Sequence, residues 1–174
     1  MNYANIKYND IANGEGIRTS LFVSGCRNNC PGCFNKEAQD FNCGEEFTDE
    51  IMDKIINSVD DKYHNGITLL GGDPMEPENA EVLCRLAEKF KKKYGDTKTI
   101  WCYTGYIYES INALDASDYR HKLLSYVDIL VDGPFIEAEK DITLRFKGSR
   151  NQRIIKLNSI TDNKSKSVCA NIIG

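Results

Sequence analysis

The sequence predicts an α/β fold, a partial and open β/α barrel on a mostly parallel sheet, and three observations lead there. Short apolar runs alternate with longer amphipathic segments, the pattern of repeated β-α units. Glycine, aspartate and cysteine clusters follow the apolar runs, as loops do at the carboxyl ends of parallel strands. At 174 residues the chain is shorter than the ~250 of a closed eight-unit barrel.

Taken in order, residues 20–24 form the first apolar run, and a cysteine-rich loop follows it. Thr48 predicts a helix cap, with Ile51, Ile55, Ile56 and Val59 on one inner face. Residues 67–70 read as the second strand, ending in Gly71 and Gly72. Pro77 and Glu78 open a helix that runs to Lys93; Val82, Leu83, Leu86, Ala87 and Phe90 line it, and Gly95 stops it. Lys91, Lys92 and Lys93 favour its negative end. Strands follow at 99–103, 127–131 and 152–157, with helical turns expected at 108–112 and 119–125. Residues 1–157 make one domain, and 158–174 read as a polar C-terminal tail whose end docks or frays.

Hydrophobic residues at 41% and charged residues at 28% suit one globular domain with a proper core. No apolar run approaches the ~18 residues that cross a membrane. A net charge of −4 gives no overall attraction to nucleic acid or anionic lipid, so a macromolecular partner is expected to be a protein. Seven cysteines, an odd number, and an opening without a basic, apolar and small-residue series place the chain in a reducing cytoplasm.

The cysteine loop carries the most chemistry. Cys26, Cys30 and Cys33 are spaced C-x3-C-x2-C directly after Leu21, Phe22 and Val23. Three thiolates can hold three corners of a cubane iron–sulfur cluster and leave the fourth iron open, as a reactive site requires. A zinc-binding interaction module would recruit Cys43, ten residues on, as its fourth ligand. Cys84 and Cys102 sit among apolar neighbours and read as core. Nothing charged beside Cys43 or Cys169 marks either as reactive.

Gly71, Gly72, Asp73 and Pro74 form a turn where the missing side chains let a ligand approach the backbone, and the Asp73 carboxylate suits an ammonium. With the cysteine loop, this segment resembles the radical S-adenosylmethionine superfamily. More closely, four further segments resemble the family that activates the anaerobic ribonucleotide reductase. These are residues 13–18, 21–26, 131–135 and 148–152. Glu15 stands where that family often has proline, and Lys147 where arginine is usual.

The resemblance implies that Cys26, Cys30 and Cys33 ligate one [4Fe–4S] cluster and that S-adenosyl-L-methionine binds its open iron. It places the backbone of Gly32, Cys33 and Phe34 against the adenine. It further implies a 5′-deoxyadenosyl radical, a glycyl radical on the reductase catalytic subunit, and an electron donor of the flavodoxin or ferredoxin type. Rivals within the superfamily are activases of the formate lyase type and small-molecule enzymes. Asp132 ends a strand on the same edge, where it either touches the cofactor or merely forms an Asp-Gly-Pro turn. Arg145, Lys147, Arg150 and Arg153 read as a solvated basic face or a dock for an acidic partner.

Overall fold

The computed structural model describes the backbone of residues 1–162 and 165–172, and the side chains of 1–157 and 171. Its strands are β1 (Asn2–Asp10), β2 (Ile17–Val23), β3 (Glu45–Glu46), β4 (His64–Gly71), β5 (Thr99–Tyr103), β6 (Ile129–Asp132), β7 (Arg153–Asp162) and β8 (Ser165–Ile172). The helices are α1 (Asp49–Asn57), α2 (Pro77–Tyr94), α3 (Tyr108–Asn112) and α4 (Tyr119–Leu124). One open eight-stranded sheet has the order β3-β1-β2-β4-β5-β6-β7-β8.

The expected parallel sheet is its centre: β2, β4, β5 and β6 run parallel. Antiparallel strands flank that centre, with β1 and β3 on one side and β7 and β8 on the other, so the sheet as a whole is mixed. β1 has no counterpart in the sequence reading, because Asn2, Asn5, Asn9 and Asp10 weaken its strand signal. Its pairing along β2 supplies what local propensity does not. Residues 158–162, read as the start of a polar tail, continue β7 and pair with β8; Asn163, Lys164, Ile173 and Gly174 lie outside the described residues.

Alternation along the central strands decides what each face does. Leu21, Leu69, Cys102 and Leu130 join the main core, to which all four helices contribute. Thr48 caps α1 by accepting from the Ile51 amide at 3.4 Å, and Met52, Ile55 and Ile56 are buried beneath it. α2 ends as expected at Gly95, whose φ of +54° lies in the left-handed half. Lys91 there pairs with Asp128 at 2.8 Å and Lys93 with Asp60 at 2.9 Å. The opposite face carries a smaller cluster of Trp101, Ile129, Val131 and Ile154, onto which Phe146 packs. Among the described residues, no helix is long and apolar enough to cross a membrane.

Candidate functional site

The helix-free face opens into a cavity of about 530 Å³ at the carboxyl ends of the parallel strands. Cys26, Cys30 and Cys33 line it together with Phe34, Gly71, Gly72, Asp73, Thr104, Gly105 and Gly133, so the loops after β2, β4, β5 and β6 all reach it. Gly32 lies outside this lining, against Glu137, and Cys43 is likewise elsewhere.

The cysteine loop is tied at its neck by backbone bonds. Gly25 donates to Ala38 at 2.8 Å, Cys26 donates to Gln39 at 3.1 Å, and the Gly25 carbonyl accepts from Asp73 at 2.8 Å. Asn79, buried in α2, reinforces the neck by donating to the Ser24 carbonyl at 3.0 Å and the Asp73 carbonyl at 2.9 Å. Arg27 is gripped from α2 through Glu76 and Glu78. Cys26 itself is half-buried, and burial pushes its thiol pKa up.

Gly71 and Gly72 do their work against protein. A Cβ on Gly71 would stand 2.6 Å from the Val23 backbone, and one on Gly72 would stand 2.5 Å from the Gly25 carbonyl oxygen. These glycines let the end of β4 press against the neck of the cysteine loop while their other side faces the cavity.

Asp73 is a hub. Its Oδ1 accepts from the Met75 amide at 2.9 Å and Thr104 Oγ1 at 2.8 Å; its Oδ2 accepts from Asn28 at 2.8 Å and the Gly105 amide at 2.9 Å. A carboxylate offers about four lone-pair positions, and all are taken. The side chain therefore organises three loops, and an ammonium would have to displace one of its donors.

Asp132 is placed differently from its neighbour Gly133, which lines the cavity. The Asp132 carboxylate is fully buried, accepts from Tyr108 at 2.7 Å and takes both Nε and a terminal nitrogen of Arg153. Arg153 also grips Glu109 at 2.8 Å, and Arg150 pairs with Asp141 at 3.0 Å. Half of the basic face expected from sequence is thus neutralised. Arg145 stacks on Phe146, 4.8 Å from the ring centroid, and Lys147 lines the cavity. Phe34 is 67% exposed and meets Phe135 edge-on at 5.5 Å, so the two rings make an apolar wall.

Sequence reasoning missed the roles of Asn28 and Glu76 and the strap that brings Leu144, Phe146, Lys147 and Gly148 to the cavity. The strap is fastened by the Gln152 side chain, which accepts from the Gly148 amide at 2.8 Å and donates to the Gly133 carbonyl at 3.0 Å. Cys84 and Cys102 are in the core as expected; burial holds the Cys102 thiol well above its ordinary pKa. The Cys169 side chain lies outside the described residues.

Three thiols on one cavity supply the donor set of a cubane cluster. Among the described residues, no three His, Cys, Asp or Glu side chains converge as ligands of one ion would. Zinc takes thiolates at about 2.3 Å and draws them together. The corners of a cubane bind separate irons, one thiol to each.

An α/β sheet with a three-cysteine loop at its strand ends defines an iron–sulfur protein, and residues 12–155 match the family described as 4Fe-4S single cluster domain. A protein of Haemophilus influenzae is 41% identical over 156 residues, spanning 88% of this chain and 97% of the relative. One of Escherichia coli K12 is 39% identical, spanning 87% and 96%, and one of Enterobacteria phage T4 is 36% identical, spanning 88% and 93%. All three carry the name anaerobic ribonucleoside-triphosphate reductase-activating protein. The chain belongs to this family of activating proteins.

Proposed function

We propose that this protein is a radical-generating activase that removes one glycine Cα hydrogen from the catalytic subunit of the anaerobic ribonucleotide reductase. The observation that carries the reading is one cavity lined by all three loop cysteines and by the ends of β4 and β5, in a chain of the activating-protein family. Cys26, Cys30 and Cys33 hold one [4Fe–4S] cluster, and S-adenosyl-L-methionine binds beside it. When bound, the cluster supplies the electron that splits the sulfonium into methionine and a 5′-deoxyadenosyl radical.

The chain's own residues set the stage. Backbone groups of Gly71 and Gly72 face the methionyl end, while Asp73 holds the surrounding loops in register. Cys33 and Phe34, with Gly32 behind them, form the adenine side, where Phe34 and Phe135 exclude water. Asp132 supports the site through Arg153 rather than by touching the cofactor. Residues 1–157 form the activase unit, a partial barrel of the radical S-adenosylmethionine type whose common part is β2, β4, β5 and β6; residues 158–162 and 165–172 extend the sheet. A flavodoxin- or ferredoxin-type donor delivers the electron, and the oxygen sensitivity of an open iron assigns the work to a reducing cytoplasm.

The test is anaerobic. Reconstituted protein receives reductant, S-adenosylmethionine and the reductase catalytic subunit, and electron paramagnetic resonance is recorded while 5′-deoxyadenosine is assayed. A glycyl-radical doublet with stoichiometric 5′-deoxyadenosine, both lost in Cys26→Ala, is the expected result. Deoxyadenosine without the doublet points to a rival target within the superfamily. Neither product from a cluster-loaded sample overturns the reading.

A further inference from the structure

Asn28 lies between the first two cysteines of the loop and touches both the loop and its scaffold. Its side-chain nitrogen donates to Asp73 Oδ2 at 2.8 Å and to Cys26 Sγ at 3.5 Å. An amide nitrogen carries two hydrogens, so both bonds form at once. Asp73 determines which end of the amide faces inward, because an ionised carboxylate only accepts. The carboxylate cannot swing away, since Thr104, the Met75 amide and the Gly105 amide hold it from other directions. Gly105 closes the slot: a Cβ there would stand 2.3 Å from the Asn28 nitrogen. The amide is therefore fixed with one hydrogen aimed at sulfur.

We propose that Asn28 is a positioning residue that donates an N–H···S hydrogen bond to the Cys26 ligand and raises the reduction potential of the cluster bound there. This rests on the cluster assignment made above. A hydrogen bond to a ligand sulfur draws electron density from it, which stabilises the more negative, one-electron-reduced cluster more than the oxidised one. The scaffold thereby eases the electron's entry through a residue that ligates nothing. Asp73 and Gly105 act in the same chain, one by orienting the amide and the other by leaving room for it.

The test is a mediated redox titration of reconstituted protein, followed by electron paramagnetic resonance of the reduced cluster, in wild type, Asn28→Leu and Gly105→Ala. Leucine keeps the volume and removes the donor. Alanine at 105 displaces the amide without altering the cysteine loop's sequence. Both variants are expected to load wild-type amounts of iron and to shift the midpoint negative, lowering the reduced-to-oxidised ratio at fixed potential by about threefold. Loaded variants with an unchanged midpoint would overturn the proposal. Loss of the cluster from both, with wild-type circular dichroism, would overturn it too, since Asn28 would then be a folding clamp only. Failure of the underlying reading looks different: the wild-type protein itself would take up no [4Fe–4S] cluster.

Discussion

Arg27 and Glu76 meet at 2.5 Å, tying the residue after the first loop cysteine to the start of α2. Glu76 is fully buried, and it also accepts from the Arg27 amide at 2.7 Å. The outer partner, Glu78, is 53% exposed, where solvent screens the pair. Glu76→Ala should therefore loosen the cysteine loop and speed iron loss from reconstituted protein several-fold, while Glu78→Ala leaves it near wild type. Iron release to a chelator measures both.

Gly72→Ala sets a methyl group 2.5 Å from the Gly25 carbonyl oxygen and 2.7 Å from that of Ala38. Both obstacles are backbone, so the neck of the cysteine loop must shift. Overpacking of this kind costs about 1–3 kcal/mol. Thermal unfolding of the cluster-free variant should report that loss, and its iron content after reconstitution should fall with it.

Asp132→Asn isolates a structural ion pair from the cavity. Arg153 keeps Glu109 as a partner and is partly exposed, so the loss falls below the roughly 3–5 kcal/mol of a fully buried pair, at about 1–3 kcal/mol. Denaturant unfolding should show it. The affinity for S-adenosylmethionine in the loaded variant should stay near wild type, because the carboxylate faces Arg153 and Tyr108.

Stability of the cluster-free protein should depend on pH through Asp73, whose pKa burial pushes up from 3.8 to about 6. Between those values the unfolded chain has lost this proton and the folded chain keeps it. The folded state then binds more protons, so its stability falls as pH rises from about 4 to about 6, on the order of 3 kcal/mol from this group. Asp73→Asn should flatten that slope. Chemical denaturation across the window would contradict the assignment if the wild-type slope from this residue ran upward.

The central architecture was legible because its signals are local. The C-x3-C-x2-C spacing, the Thr48 cap and the apolar stripe of α2 each lie within a few turns of sequence. What escaped arrives through long-range pairing. β1 reads as polar and forms by pairing with β2 and β3, and Lys7 reaches the cavity from it. Asp132 was correctly placed at a strand end, but its partner is set by β7, whose Arg153 lies opposite it in the antiparallel register. Neither the distance of 21 residues nor the facing side chain leaves a mark in the local pattern. Asn28 is likewise silent in sequence, since its meaning comes from Asp73 and Gly105 on two other loops.

The most direct measurement is the iron and sulfide content of anaerobically reconstituted wild-type protein and of Cys26→Ala, Cys30→Ala, Cys33→Ala and Cys43→Ala, with absorption and electron paramagnetic resonance to identify the cluster. The three loop thiols line the cavity and Cys43 does not. Wild type and Cys43→Ala should each hold one [4Fe–4S] cluster per chain, and the other three variants should not retain it. Loss of metal in Cys43→Ala, or a colourless zinc protein in the wild type, would contradict the account.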